Sequence, residues 1–576
     1  MKANTELFKR LCVHLHNLYP TENASPLAER CLKAMGLKGD EASPAPHRNI
    51  WNEKDALLIT YADSLRSADY SPLQTLTQFA QEALKESFSI VHLLPFFPYS
   101  SDDGFSVMDY STVNPATGTW KQVTALSQSF KIMGDLVINH CSARSLWFEN
   151  YLKGQSPGSG YFYEGHPSQD ISQVVRPRTS PLLREVTTAE GVRYVWCTFS
   201  HDQVDLNFEN PQVLLEMLGI IRLYLDKGIR WFRLDAVAFV WKKPGTPSIN
   251  LPETHELIRL LRLLMEHAEP DTVIITETNI PNAENLTYFG NANEAHLIYN
   301  FSLPPLLLNT LVTGSCQHLK RWLMSMPPAQ YGTTYLNFIA SHDGIGLRPA
   351  EGLLSDWELK NLLETMQRFG GKISARTGND GEPKPYEINI SLWNALSGTV
   401  AQGPDQWQLA RFVCAHAIML ALEGVPACYV HSLFGTENDL DRVGHTGHFR
   451  SINRHIWQES ALTAALAGDS HHAQVFAELR RLLSIRRLQK AFHPNATQFM
   501  MHTGDALLSF WRQSTDRRQS IFAIHNISPE PQTIHLADLN LIATDEWTDL
   551  ATGRIYDDRL ATLTLSPYQF VWLSNR

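Results

Sequence analysis

The segment formed by residues 228–237 constrains the fold most, because a largely apolar run contains an arginine and an aspartate two positions apart near its end. Its pattern predicts a buried β-strand, in which Arg233 and Asp235 lie two positions apart and project to the same face. An isolated charge is costly to bury, so the two side chains are expected to pair. Taken alone, the segment is equally compatible with a purely structural salt bridge at a strand end.

Two later apolar segments also end near a carboxylate. Residues 273–279 include Glu277, and residues 336–343 end at Asp343. Strands that each close on a carboxylate resemble the upper face of a (β/α)8 barrel, where strand ends and the following loops converge at one mouth. We therefore predict that these two carboxylates and Asp235 lie close together.

Apolar strand patterns alternate with helical patterns from about residue 55, which predicts an α/β fold built on a parallel (β/α)8 TIM barrel. Inserted subdomains are predicted after strands three and seven, with an antiparallel β domain at the C-terminal end. The predicted strands are residues 56–61, 89–95, 131–140, 228–235, 273–277, 297–301, 336–341 and 425–430. The predicted units are a helical N-terminal extension (1–50), a catalytic barrel (51–143 and 206–492), an inserted subdomain B (144–205), a second insertion (344–400) and a C-terminal β domain (493–576).

Composition argues against several classes of function. The formal net charge of −10 disfavours a general binder of nucleic acid or of acidic membranes. The seven cysteines form no CxxC pair and the N-terminal residues lack an apolar signal-peptide core, so reduced thiols and a cytoplasmic location are expected. No stretch of about 20 apolar residues predicts a membrane span. No cofactor and no metal are predicted, since motifs for them are missing, and the oligomeric state is left open.

Four segments resemble the signature regions of the α-amylase superfamily, in the order of that family. They are Asp135-Leu136-Val137-Ile138-Asn139-His140, Arg233-Leu234-Asp235-Ala236-Val237, Thr276-Glu277 and Ser341-His342-Asp343. The resemblance implies that Asp235 is the nucleophile, Glu277 the acid/base and Asp343 a third carboxylate that binds sugar hydroxyls. It also implies sugar contacts by His140 and His342.

The chemistry of glycoside cleavage is compatible with these roles. Cleavage with retention needs two carboxylates on opposite sides of the anomeric carbon, one to attack and one to protonate the leaving oxygen. Arg233 would keep Asp235 ionised and oriented, and partial desolvation in an apolar strand would raise the pKa of Glu277. A lone histidine at a strand end is more often structural, but within these signature regions a sugar contact is favoured for His140 and His342.

A narrower resemblance is to the sucrose phosphorylase subfamily, in which phosphate rather than water intercepts the glycosyl-enzyme. The matching segments are residues 101–105, 175–178, 202–207, 303–308, 342–346 and 452–454. The resemblance implies that Asp102 and Arg454 bind the non-reducing face of glucose, that Phe105 stacks on the sugar, and that Gln203 lies near the acceptor. Arg178 would bind phosphate, and the alternative for this residue is a solvated loop charge.

Other segments depart from sucrose phosphorylases and look more like the glucosylglycerate phosphorylase branch. These are the N-terminal extension and residues 239–246, 277–279 and 385–389. The resemblance implies transfer of glucose from a short α-glucoside, 2-O-α-glucosylglycerate, to phosphate, giving α-glucose 1-phosphate by double displacement. A glycerate acceptor calls for a cation, and Arg348, Lys242 and Lys243 are candidates between which the sequence does not choose. The alternatives are a sucrose or glucosylglycerol phosphorylase, an α-glucoside hydrolase and a non-enzymatic binding protein.

Overall fold

Eight parallel strands form a closed barrel in the computed structural model, which describes residues 5–378, 382–539, 546–556 and 562–576. Each strand pairs with its neighbours in the sequence, and the last pairs with the first. The strands are β1 (Leu57–Thr60), β2 (Ile90–Leu93), β3 (Lys131–Val137), β4 (Ile229–Asp235), β5 (Val273–Thr276), β6 (Leu297–Tyr299), β7 (Thr334–Phe338) and β8 (Val425–Tyr429). The predicted (β/α)8 fold is confirmed.

Helices cover the outside of the barrel, which explains why the strands are apolar on both faces. The chain between β3 and β4 ends in helix Pro211–Asp226. This helix begins there because the side chain of Asn210 accepts a hydrogen bond from the backbone N–H of Gln212 and Pro211 occupies the first turn. The main helices are Pro72–Phe79, Trp120–Ser127, Pro211–Asp226, Pro252–Ala268, Asn282–Leu286, Leu303–Thr313, Gln317–Ser325, Gln408–Ala421 and His471–Arg486. None of the described helices is long and apolar enough to cross a membrane.

The segments inserted after β3 and β7 form small antiparallel structures. The first contains helix Leu146–Leu152, a sheet of Glu164–Gly165, Leu183–Thr188 and Gly191–Trp196, and a pairing of His140–Ser142 with Gln203–Asp205. The second contains helix Asp356–Arg368 and a sheet of Ile345–Gly346, Lys372–Thr377 and Pro383–Asn389, and residues 379–381 of this predicted insertion lie outside the described part. Shorter elements are Leu65–Arg66, Ala80–Leu84, Leu392–Ala395, Gly398–Thr399, Gly403–Pro404, Val430–Leu433, Leu440–Thr446, Trp457–Gln458 and Glu459–Ala467.

Two helices, α1 (Glu6–Leu18) and α2 (Ala24–Ala34), precede the barrel. Leucines recur at helical spacing on one face of α1 and are buried, which stabilises the contact by about 1.5–3 kcal/mol for each fully buried side chain. At the polar edge of this contact, Glu256 pairs with His14 (2.9 Å) and accepts a hydrogen bond from Asn17 (2.8 Å). The N-terminal helices are thus joined to the barrel by both apolar and ionic contacts.

The C-terminal sheet buries both of its faces. One face packs on the barrel, and the other lies under a ribbon of Gln532–His535 and Thr562–Leu565. Arg512 and Arg486 are buried between sheet and barrel and donate to the carbonyl oxygens of Ala421 (2.5 Å) and Leu420 (2.8 Å), respectively. The strands, in spatial order, are Thr497–Met500, Leu507–Gln513, Ser520–Asn526, Phe570–Ser574, Trp547–Asp549 and Ile555–Tyr556.

The three predicted carboxylates do not all lie at strand ends. Asp235 is the last residue of β4 and Glu277 follows β5 directly, but Asp343 comes well after the end of β7. The prediction that each strand closes on a carboxylate is therefore wrong for the seventh strand, where the chain leaves the barrel earlier. The third strand also ends earlier, at Val137, because His140 begins the pairing within the first insertion.

Lys242, in the loop after β4, joins this loop to the base of the first insertion. The residue is 2% exposed, and its ammonium nitrogen lies 2.7 Å from Oδ1 of Asn139 and 3.2 Å from Oδ2 of Asp205. Burial lowers the pKa of Lys242, and the charge of Asp205 opposes that shift. The positive charge beside Asp205 is therefore the ammonium group of Lys242. The described residues contain no group of three or more His, Cys, Asp or Glu that could hold a metal ion.

Replacing Lys242 with methionine should destabilise the protein by about 3–5 kcal/mol, because the buried Asp205 loses its countercharge. Lys243 is adjacent and exposed, so Lys243→Met is a matched control that should change stability by no more than about 0.5 kcal/mol. The unfolding midpoints of the wild type, Lys242→Met and Lys243→Met, measured at one fixed scan rate, are to be compared. Equal midpoints for the two variants would contradict a supporting role for the Lys242 ion pair.

Candidate active site

Ten of the eleven residues predicted to act in the site line one cavity at the carboxyl ends of the barrel strands. Arg454 is the exception. Five further residues that were not predicted complete the lining: Phe199, Ala236, Asn279, Tyr386 and Arg450. The predicted lining residues are Asp102, Phe105, His140, Arg178, Gln203, Arg233, Asp235, Glu277, His342 and Asp343.

Arg233 lies at the base of this cavity, surrounded by three carboxylates. Its Nη1 is 2.5 Å from Asp135 and 2.6 Å from Asp235, and its Nη2 is 4.0 Å from Glu277. Burial disfavours the charge of Arg233, but the three carboxylates together raise its pKa well above the ordinary value. Asp135 is also held by His92, at 2.7 Å. The arginine and aspartate of the fourth strand are therefore paired, and the pair belongs to the cavity.

Asp235 and Glu277 share this arginine but sit in different environments. Burial raises the pKa of both carboxyl groups; the charge of Arg233 offsets part of the rise in each, and the charge of Asp343 adds to it at Glu277. The backbone N–H of Ala236, a residue with φ of 52°, donates to Glu277 at 3.0 Å. Asp235 contacts the guanidinium directly at 2.6 Å, whereas Glu277 lies 4.0 Å from it, so the arginine stabilises an ionised Asp235 more strongly than an ionised Glu277.

Asp343 is kept ionised by a cation that the sequence analysis missed. Arg450 bridges Asp343 (2.5 Å) and Glu387 (2.7 Å). Although burial disfavours its charge, Asp343 has a pKa well below the usual range, with Arg450 as the main cause. Arg450 lies only four positions before Arg454. Its proximity to the matching segment 452–454 is the sequence feature that could have indicated it.

One side of the cavity combines an aromatic face with neutral hydrogen-bonding groups. The ring of Phe105 stacks on His342, with centroids 5.0 Å apart and an interplanar angle of 9°. Nε2 of His140 lies 3.0 Å from the carbonyl oxygen of Phe105 and 3.3 Å from the amide of Gln203, which also reaches Asp102 at 3.3 Å. Burial lowers the pKa of both histidines. Uncharged imidazoles beside a ring suit the hydroxyls and apolar face of a sugar.

Arg454 lies behind this wall and does not line the cavity. Its guanidinium donates to the carbonyl oxygen of His342 (2.9 Å) and to Asp103 (2.7 Å), and it lies over the ring of Tyr61. Its nearest acidic partner is therefore Asp103, the neighbour of Asp102, and its Nη2 also lies 3.8 Å from Asp343. The sequence could not separate these two adjacent aspartates, because positive φ values at both positions set their directions.

The other side of the cavity carries Arg178, between the rings of Tyr386 (5.3 Å) and Phe199 (5.8 Å). No carboxylate contacts its guanidinium within the part of the chain that the structure describes; Nη1 donates only to the carbonyl oxygen of Pro177 (3.3 Å). The hydroxyl of Thr377 donates to the backbone oxygen of Arg178 at 3.3 Å, so the two insertions meet here. Arg178 is thus an uncompensated cation facing the carboxylate pair.

None of the three cations considered for an acceptor carboxylate lines the cavity. Lys242 is enclosed with Asp205, Lys243 is exposed, and Arg348 lies in a short helical turn beyond the cavity wall. The sequence suggested them because they are close to signature segments along the chain. Arg178 and Arg450 face the cavity instead, because the first insertion and the segment after β8 both fold over the mouth of the barrel.

Comparisons with known proteins agree with this geometry. The α-amylase catalytic domain matches residues 85–345. The glucosylglycerate phosphorylase of Spirochaeta thermophila is 41% identical, covering 94% of both chains, and that of Escherichia coli K12 is 40% identical, covering 91% of this chain and 92% of the other. The chain belongs to the glucosylglycerate phosphorylase family. The predicted relationship to the α-amylase superfamily and to this branch is thereby confirmed.

A solved relative of this family shares the fold. The crystal structure of sucrose 6F-phosphate phosphorylase from Thermoanaerobacter thermosaccharolyticum has a TM-score of 0.72 and 25% sequence identity, covering 82% of this chain and 94% of the other. More distant relatives, such as the sucrose phosphorylase of Agrobacterium vitis at 29% identity, cover less of the present chain, 81%. The full-length agreement is therefore with the glucosylglycerate phosphorylases.

The arrangement can perform a double displacement at an anomeric carbon. An ionised Asp235 can attack while the protonated Glu277 supplies a proton to the leaving oxygen. The raised pKa of Glu277 keeps its acid form present above the usual carboxyl range, so turnover should fall as the pH rises through that pKa. The described cavity thus contains two carboxyl groups suited to act as nucleophile and acid.

Asp235→Asn and Glu277→Gln should each lower turnover of a glucoside with an alcohol leaving group by roughly 10³-fold or more. They should differ with α-glucosyl fluoride, because fluoride departs without a proton. Glu277→Gln should then regain most of its rate, whereas Asp235→Asn should stay inactive. Fluoride release measures both, and unchanged unfolding midpoints serve as the control. Equal rescue of the two variants would contradict the division of roles.

Proposed function

We propose that the protein catalyses the reversible phosphorolysis of 2-O-α-glucosylglycerate, giving α-glucose 1-phosphate and glycerate. The observation that carries the proposal is a cavity with a carboxylate pair at its base and, in its wall, the guanidinium of Arg178 without a carboxylate partner. The curated relatives at 41% and 40% identity carry the name of this activity. The individual roles given below are part of the proposal.

The reaction proceeds in two balanced steps. Asp235 attacks C1 of glucose while Glu277 protonates O2 of glycerate; the C1–O2 bond breaks and an ester to Asp235 forms. An oxygen of hydrogen phosphate then attacks C1, the ester bond breaks, and Glu277 recovers the proton of the entering phosphate. Each step inverts C1, so the product keeps the α configuration.

Glycerate and phosphate occupy the same side of C1 one after the other, and both are anions. A single cation can therefore serve both. Arg178 suits this purpose, because the rings of Tyr386 and Phe199 hold its guanidinium without neutralising it. Arg450 is less suited, since Asp343 and Glu387 already compensate its charge.

Two segments that depart from sucrose phosphorylases meet on the acceptor side. Nδ2 of Asn279 lies 3.4 Å from the hydroxyl oxygen of Tyr386, and Oδ1 of Asn279 is buried with no hydrogen-bond partner among the described residues. A buried acceptor without a partner costs free energy until a ligand supplies a donor. The free hydroxyl of glycerate is such a donor, which supports a small polyol acid as the acceptor.

We assign the glucose side of the cavity to Phe105 as the stacking surface and to His140, His342 and Asp343 as hydrogen-bonding groups. Asp343, held as an anion, accepts from sugar hydroxyls and favours the positive charge that develops near C1. Asp102 and Gln203 face the same space, while Arg454 would act through the backbone of His342. The proposed location is the cytoplasm, supported by seven cysteines that are all free.

The reverse reaction tests the proposed function. With α-glucose 1-phosphate as donor, D-glycerate should exceed both fructose and glycerol by about 100-fold or more in kcat/KM, because a neutral acceptor leaves the half-buried guanidinium of Arg178 without a countercharge. In the forward direction, glucose release should depend on phosphate, and proton NMR should identify the first product as the α anomer. A β-phosphate would overturn the double displacement, and full activity without phosphate would indicate a hydrolase.

Arg178→Ala should raise the KM for phosphate and for glycerate about 10-fold or more, because both anions lose a charged partner. Formation of the glycosyl-enzyme from α-glucosyl fluoride should change little. Arg176→Ala is the matched control, since Arg176 lies in the same loop and does not line the cavity. An effect on phosphate alone would restrict Arg178 to phosphate, and equal effects of both variants would indicate a change in loop structure.

A further inference from the structure

A second cavity lies at the opposite end of the barrel from the carboxylate pair. Its volume is about 530 Å³, and it is enclosed by α1, the linker at residues 43–50, helix Pro252–Ala268 and residues 291–296. These segments precede β5 and β6, whereas Glu277 follows β5. At about 3.3 Å per residue, the strand separates the two sites by roughly 10 Å or more. The cavity is therefore distinct from the active site.

The floor of this cavity is formed by buried basic side chains. Arg262 and His267 are each 7% exposed and His296 is 3% exposed. Glu266 is the acid at this position, and it already accepts from Arg262 (2.9 Å) and pairs with His296 (2.9 Å). Because Nδ1 of His296 accepts from a backbone N–H, its Nε2 carries the proton toward Glu266. The negative charge of Glu266 is thus already paired with Arg262 and hydrogen-bonded by His296.

His267 leaves one polar atom of the floor without a partner. Its Nδ1 lies 2.7 Å from the carbonyl oxygen of Leu263 and takes up that bond. Its Nε2 is buried and has no hydrogen-bond partner among the residues that the structure describes. Buried polar atoms are rarely left unpaired in folded proteins, so this nitrogen calls for a ligand group.

The rim adds positive charge that is not compensated. Arg10, on α1, has no carboxylate partner in the described ranges, and Arg48 donates one Nη to the carbonyl oxygen of Pro270. That contact covers a carbonyl near the C-terminal end of helix Pro252–Ala268, where the helix dipole would otherwise repel an anion. The remaining guanidinium donors of both arginines have no partner among the described residues, on a protein of net charge −10.

The rim also exposes apolar surface toward the same space. Val13 is 59% exposed, and Pro44, Ile50 and Leu263 line the wall beside it. A bare inorganic anion would leave this surface in water. A ligand that combines an anionic group with a larger body would use both parts of the lining, and the volume lies within the range of about 300–1,000 Å³ that small-molecule sites occupy.

From these observations we propose that the cavity is a second binding site, for a small organic phosphate. The phosphate group accepts from Arg10 and Arg48, a hydroxyl of the ligand donates to Nε2 of His267, whose Nδ1 proton is already given to Leu263, and the body of the ligand lies on the apolar wall. Arginines arranged around a cavity suit phosphate oxygens because each guanidinium can donate two bonds. The site is independent of the catalytic roles assigned above.

Isothermal titration of the full-length protein with adenosine 5′-monophosphate and with glucose 6-phosphate tests the site, with inorganic phosphate as reference. At least one organic phosphate should bind with one equivalent, and binding should weaken as salt rises. The double variant Arg10→Gln/Arg48→Gln should weaken binding at least 10-fold. Val13→Glu, which adds a carboxylate at an exposed position of the rim, should do the same.

The matched control is Lys9→Gln/Lys33→Gln, which removes two exposed charges from α1 and α2 and should leave binding unchanged. All variants should retain wild-type turnover with saturating substrates, because none touches the catalytic cavity. No binding of either organic probe at millimolar concentration would overturn the proposal. So would binding that the rim variants do not alter, or inorganic phosphate binding at this site as tightly as the organic probes.

Discussion

The guanidinium of Arg233 is the group on which the active site depends. It joins Asp135 on β3 and Asp235 on β4, and it lies within 4.0 Å of Glu277 after β5. A buried cluster of this kind contributes little net stability, since desolvation opposes the attraction between the charges. Its consequence is electrostatic: one cation contacts Asp135 and Asp235 directly and Glu277 only at 4.0 Å, so it stabilises the charge of Asp235 more than that of Glu277. The barrel makes this possible by holding three adjacent strands in a fixed register.

The barrel strands carry the carboxylate pair, whereas the insertions carry the side of the cavity proposed for the acceptor. Arg178 and Phe199 come from the insertion after β3, Tyr386 comes from the insertion after β7, and Arg450 follows β8. These segments are far apart in the sequence and meet only because each leaves the same end of the barrel. Acceptor choice can therefore change through the loops without disturbing the nucleophile and the acid, a general property of this fold.

The opposite end of the barrel contains a second cavity. There α1 and the linker after α2 enclose a basic cavity against helix Pro252–Ala268. Relatives named for sucrose phosphorolysis match a smaller share of this chain than the glucosylglycerate phosphorylases do. The two ends of the barrel thus carry separate features, linked by largely buried strands.

The sequence by itself determined the eight strands, the positions of Asp235 and Glu277 and the family. These features depend on local alternation and on short segments whose side chains keep their direction within a strand. Only the tertiary structure decided which cations face the cavity. Arg178 and Arg450 line it, whereas Lys242 is buried in an ion pair with Asp205. It also paired Arg454 with Asp103. The physical reason is that a loop side chain takes its partner from distant segments, and no periodicity along the chain records that contact.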